Sequence, residues 1–125
     1  MKKIISTNKA PSAIGPYSQA VVHGNTLFVS GQLPVDPATG ELVAGDIALQ
    51  TTKAMENIKE IVESAGGNMS NILKTSILLT DLSNFAKVNE AYAAFFPENP
   101  PARVCYQVSA LPKGAEIEID AICGL

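Results

Sequence analysis

Arg103 is the only arginine in a chain that carries eight lysines, and it stands in Pro101-Ala102-Arg103-Val104-Cys105 at the edge of an apolar run. A guanidinium offers a planar fork of donors matched to the two oxygens of a carboxylate or phosphate, whereas a lysine ammonium offers a point charge. An arginine entering an apolar strand needs an anionic partner, because leaving a buried charge unpaired costs about 3–5 kcal/mol. Two partners meet that need. One is an ion pair with Glu118 or Asp120 from the following strand; the other is an anionic ligand, and the spacing alone does not choose between them.

Glu116, Glu118 and Asp120 alternate, which puts three carboxylates on one face of a strand. Like charges so placed raise one another's pKa, and a carboxylate brought closer to neutrality suits proton transfer; beside a bound anion and an ordered water it is a general base for hydrolysis. The same row also fits the solvated face of an edge strand. Tyr17, in a loop stiffened by Pro11 and Pro16, either plugs the core or lines a pocket with its hydroxyl. Asn89, among Lys87, Val88, Glu90 and Ala91, reads on its own as a surface residue of a helix.

Other chemistries are excluded more firmly. His23 is the only histidine and lies at a hairpin tip, Val22-His23-Gly24-Asn25, which is a poor place for the base of a triad. Zinc spacings of the CxxC or HExxH kind are absent, so no metal is expected. Neither GxxxxGK nor a strand followed by GxGxxG occurs, so nucleotide binding is not expected. Cys105 and Cys123 read as small buried hydrophobes, with a disulfide between them left open by spacing.

The elements that must carry these residues follow from the apolar pattern. Segments 19–23 and 26–30 flank Gly24-Asn25 as a β-hairpin, between proline- and glycine-rich loops over 10–17 and 31–45. Ile47, Thr51, Ala54, Met55, Ile58, Ile61, Val62 and Ala65 recur at helical spacing, with Gln50, Lys53, Glu56, Asn57, Lys59, Glu60 and Glu63 on the polar side. Asp46 and Gly66-Gly67 bound this helix at about 47–65. A strand over 72–80 precedes a short helix, capped by Asp81 or Ser83, with Phe85, Val88, Ala91, Tyr92 and Phe95 on its buried side. Two strands, 103–109 and 116–122, complete the chain, and an extra strand fits at the extreme N-terminus. The expected fold is α+β: one domain over residues 1–125, with a single sheet covered on one face by two helices.

Composition agrees with an ordinary globule, since 125 residues fit one core and 46% of them are hydrophobic. A net charge of −3 argues against nucleic-acid or anionic-membrane partners. Lys2 and Lys3 are not followed by the apolar stretch of a signal peptide, so the cytoplasm is the expected location.

Seven motifs in series then point to a family. Ile14-Gly15-Pro16-Tyr17-Ser18-Gln19, Ser30-Gly31-Gln32-Leu33-Pro34, Asn57-Ile58-Lys59, Phe85-Ala86-Lys87-Val88-Asn89, Pro101-Ala102-Arg103, Leu111-Pro112-Lys113 and Ile117-Glu118-Ile119 together resemble the RidA (YjgF) family of reactive-intermediate imine deaminases. The resemblance implies a chorismate-mutase-like α+β domain with a mostly antiparallel sheet, assembled as a homotrimer with clefts between subunits. It implies hydrolysis of 2-imino acids such as 2-iminobutanoate and 2-iminopropanoate to 2-keto acids and ammonia, without a cofactor. Carried across by motif, Arg103 corresponds to the residue that binds the substrate carboxylate and Glu118 to the one that activates water. Cys105 corresponds to the residue whose main chain meets the imine end, with Tyr17, Ser30, Gly31 and Asn89 completing the wall. A trimer that binds keto or imino acids in the same cleft without turnover, in a chaperone-like role, is the alternative; a chorismate mutase fits less well, because one arginine serves only one of that substrate's two carboxylates.

Overall fold

The computed structural model describes residues 1–125. Strands β1 (Lys3–Ile5), β2 (Ala20–His23) and β3 (Thr26–Gln32) open the chain, followed by the small pair β4 (Val35–Asp36) and β5 (Glu41–Leu42). Helix α1 (Ile47–Ser64), strand β6 (Ile72–Leu79), helix α2 (Phe85–Ala93), and strands β7 (Ala102–Gln107) and β8 (Ile117–Gly124) complete it. The large sheet runs β1-β2-β3-β8-β6-β7, antiparallel except where β7 lies parallel to β6. That parallel pair requires a crossover, and α2 provides it. The α+β arrangement of two helices on a mostly antiparallel sheet is the one expected.

Local chemistry explains the main boundaries. The two-residue turn Gly24-Asn25, with Gly24 at φ 61°, closes the β2–β3 hairpin. The Asp46 side chain accepts the Leu49 N–H at 2.9 Å to start α1. Asp81 caps a short 3-10 turn over Leu82–Asn84 that feeds α2, so α2 itself begins at Phe85 without a side-chain cap. The β4–β5 pair lies within a segment expected to be loop; its two-residue strands are too short for alternation to register.

The helices cover one sheet face, where Leu27, Val29, Ile77, Leu79, Ile117, Ile119 and Cys123 meet Met55, Ile58, Ile61 and Val62 of α1. Asn57 departs from the expected pattern. It is 1% exposed, and its Nδ2 donates to the carbonyls of Leu33 at 3.1 Å and Val35 at 2.9 Å. The carbonyls of Leu33 and of Val35 at the start of β4 thus gain a side-chain donor, which repays burial of the amide. The opposite sheet face is uncovered and carries exposed Ile4, Phe28, Val104 and Tyr106. No helix is long and apolar enough to cross a membrane.

Candidate active site

Arg103 and Cys105 lie on β7 facing the helices, because Arg103 pairs with buried Thr75 and Thr75 with buried Ala121. The guanidinium makes no ion pair: the chain's one salt bridge joins Lys53 and Glu56. Its partners are neutral. Nη1 donates to Asn89 Oδ1 at 2.7 Å, and Cζ lies 5.4 Å from the Phe85 ring centroid and 5.3 Å from that of Tyr92. Asn89 is therefore half-buried at the arginine and is not a plain surface residue. Cys105 carries a free, half-buried thiol; burial pushes its pKa up, and the Arg103 charge opposes that shift. Cys123 is buried in the core, where desolvation lifts its thiol to about 11, and no disulfide joins the two.

Glu118 stands elsewhere. It pairs with Leu78, and Leu78 with Tyr106, so it belongs to the uncovered face while Arg103 belongs to the helix face. An internal ion pair between Arg103 and Glu118 or Asp120 is thereby excluded by the pleat. Glu116 leaves the expected row of three carboxylates: it precedes β8 and accepts from Gln50 Nε2 at 3.5 Å. Asp120 accepts the Ser76 N–H at 3.1 Å. Glu118 alone faces a cleft of about 600 Å³, also lined by Tyr17, Ser30, Gly31, Leu33 and Pro112. Burial raises its pKa, and the Asp120 charge raises it further.

The cleft wall is built by an irregularity and a buried amide. The β3–β8 register shifts between Val29 and Gln32, which releases Ser30 and Gly31 from regular pairing beside Glu118. Ser30 Oγ donates to the Ser18 carbonyl at 2.6 Å, and its N–H donates to the Gln19 carbonyl at 2.9 Å. The Gln19 side chain accepts the Thr7 N–H at 2.7 Å and donates to the Thr7 and Pro11 carbonyls at 3.0 and 2.8 Å, fixing the loop that presents Tyr17. Tyr17 is half-exposed, so it lines the cleft and does not plug the core.

Gly31 is required by space: a Cβ there would come within 2.8 Å of the Glu118 carboxyl carbon. Gly31→Ala is expected to push the carboxylate aside at little cost in stability, because the obstructed atoms are the end of a flexible side chain. For a carboxylate in the proton-carrying role that the family resemblance implies for Glu118, misplacement by about 1 Å costs on the order of 100-fold. The expected result is a kcat lowered at least tenfold with an unchanged thermal melt, measured on the same preparation.

The family model described as endoribonuclease L-PSP matches residues 7–124. The chain belongs to this family, the RidA group its motifs resemble. It is similar to the 2-iminobutanoate/2-iminopropanoate deaminase of Rattus norvegicus, 51% identical over 98% of this chain and 89% of the relative. Among solved structures, RidA from the Antarctic bacterium Psychrobacter sp. PAMC 21119 is 49% identical, with a TM-score of 0.95 over 98% of this chain and 99% of that one. Escherichia coli TdcF with bound serine is 46% identical, with a TM-score of 0.94 over 98% of each chain.

In this RidA chain the residues singled out from sequence fall into two groups: Arg103, Asn89 and Cys105 beside α2, and Tyr17, Ser30, Gly31 and Glu118 around the cleft. The sheet lies between them. Sequence reasoning placed Phe85 and Tyr92 with the core and missed that they frame Arg103; the available signal was their spacing with Asn89, at i, i+4 and i+7 on one helix face. Gln19, which holds the Tyr17 loop, stands in the motif Ile14–Gln19, but nothing in its type or spacing signalled that role.

Proposed function

We infer that this protein is a 2-iminobutanoate/2-iminopropanoate deaminase, hydrolysing the C=N bond of small 2-imino acids. The observation that carries the reading is Arg103: the chain's only arginine is held by an amide and two rings and by no carboxylate, so its charge is free for a substrate carboxylate. The naming of close relatives as deaminases of this substrate class supports it. One RidA-like domain spans residues 1–125, and the uncovered apolar sheet face supports its assembly as a homotrimer of chorismate-mutase-like domains. In that assembly Arg103, Asn89 and Cys105 of one subunit meet Tyr17, Ser30, Gly31 and Glu118 of the next across a shared cleft.

The chemistry needs only positioning and one proton carrier. Arg103 pairs with the carboxylate through two parallel hydrogen bonds and fixes C2 of the substrate. Glu118 takes a proton from water as its oxygen bonds to C2 of the iminium form, C=NH2+, whose C=N electron pair moves onto nitrogen, giving a neutral carbinolamine. The carboxyl then returns its proton to that nitrogen, and the C–N bond breaks as the C=O forms. The hydroxyl proton passes to the regenerated Glu118 carboxylate and on to solvent, and ammonia leaves with the 2-keto acid. The edge strand β7 leaves one side of its main chain unpaired in the protomer, where Cys105 backbone groups can meet the imine end.

Subunit mixing tests function and site together. The wild type is expected to accelerate decay of 2-iminopropanoate generated by a dehydratase, while Arg103→Ala and Glu118→Gln each lose most of that activity. Unfolding and refolding the two variants in equal amounts should recover roughly a quarter of wild-type activity, because random trimers then contain clefts with both residues intact. No recovery would place both residues in one subunit's site, and no acceleration by wild type would favour the binding-only alternative.

A further inference from the structure

Phe85, Asn89 and Tyr92 stand on one face of α2, and the Arg103 guanidinium lies against all three. Tyr92 is itself immobilised. The residue is 6% exposed, its ring packs on Phe96 at a centroid distance of 5.0 Å, and its hydroxyl shares a 2.7 Å hydrogen bond with Thr75 Oγ1. Thr75 is the β6 residue in register with Arg103, so the strand next to the arginine anchors the ring that the arginine rests on.

Aromatic faces can hold a guanidinium by its charge without neutralising it and without occupying its N–H donors. Asn89 occupies one donor as a neutral acceptor. A carboxylate in either place would compete with the ligand. An arginine also has many rotamers to lose on binding, and fixing it in advance removes that loss from the moment of capture.

We propose that Tyr92, anchored by Thr75 and assisted by Phe85, is a positioning residue that holds the Arg103 guanidinium with its remaining donors turned toward the carboxylate of the 2-imino acid. This rests on the deaminase reading, in which Arg103 binds that carboxylate. The clamp acts on ground state and transition state alike, so its loss weakens binding and leaves the chemical step intact.

The test measures kcat and KM for 2-iminopropanoate, and calorimetric binding of 2-oxobutanoate, in Tyr92→Leu, Tyr92→Phe and Phe85→Leu. Tyr92→Leu is expected to raise KM and the 2-oxobutanoate Kd by roughly 5- to 30-fold with kcat nearly unchanged; Phe85→Leu, at a partly exposed ring, by roughly 2- to 5-fold. Tyr92→Phe, which keeps the ring, should restore most of the affinity. Adding Arg103→Lys should cost less in the Tyr92→Leu background than in the wild type, since the two residues act together. A purely structural role for Tyr92 would lower the melting temperature and the active fraction while leaving KM and this additivity untouched, and that result overturns the proposal. If Tyr92→Leu does not fold, Phe85→Leu decides: unchanged 2-oxobutanoate affinity overturns the clamp. A wild type that binds 2-oxobutanoate without hydrolysing the imine overturns the deaminase reading but leaves the clamp measurable by calorimetry; a wild type that does neither overturns both.

Discussion

Arg103→Ala should lower kcat/KM for 2-iminopropanoate by roughly 100- to 1,000-fold while leaving the protein folded. The size follows from losing a charge-assisted, two-pronged contact in a partly desolvated site, about 3–4 kcal/mol, at about 1.4 kcal/mol per tenfold. Arg103→Lys keeps the charge but loses the planar fork, so a loss of roughly tenfold is expected, mainly in KM. The stability expectation is as informative as the kinetic one. Breaking a buried ion pair ordinarily strands its partner charge, but no carboxylate of the same chain pairs with Arg103, so only the neutral, half-buried Asn89 Oδ1 loses its donor when it goes. Steady-state kinetics in a dehydratase-coupled assay and a thermal melt check both halves. Full activity in Arg103→Lys would remove the two-pronged role, and a collapse of stability in Arg103→Ala would return the residue to a structural one.

How far the sequence anticipates this site depends on which interactions are local. The β2–β3 hairpin is written in its turn residues and α1 in its spacing and its Asp46 cap, because those signals act within a few residues of one another. Asn57 is a different case. Its polarity places it on the wet side of the helix, and only the arrival of Leu33 and Val35 makes it a buried staple. Alternation likewise gives Arg103 and Glu118 a face of their own strands, but which face each strand turns to the helices is fixed by register with β6, between them. The ambiguity between ion pair and ligand site was therefore a question of topology, and the β8-β6-β7 order answers it for the ion pair. The aromatic support of Arg103 was hidden for a related reason: a ring half-buried on a helix looks the same in sequence whether it faces aliphatic core or a guanidinium.

Glu118→Gln should lower kcat on the order of 100- to 10,000-fold, the usual range for a positioned general base, with little effect on 2-oxobutanoate binding. Its pH behaviour carries the more specific prediction. The carboxylate must be ionised to accept a proton, and both burial and the Asp120 charge raise its pKa above the ordinary carboxylate value. Wild-type kcat/KM should thus rise with pH through that raised pKa and level off above it. Asp120→Asn removes the neighbouring charge, so it should shift the acid limb to lower pH while sparing the plateau; an unmoved limb would mean another group titrates. The same shift sets a stability cost. A carboxyl whose folded pKa exceeds its unfolded value binds more protons folded than unfolded between the two, so stability falls as pH rises through that window. Above it, wild type carries a half-buried charge with no salt-bridge partner in its own subunit, which the glutamine variant lacks. Glu118→Gln should accordingly melt above wild type at neutral pH, with the gap closing as pH falls below the carboxylate range, where both side chains are neutral. Inactivity joined to a gain in stability is the signature of a group retained for chemistry, and a variant that is both inactive and less stable at neutral pH would point instead to damage at the Ser30–Gly31 bulge.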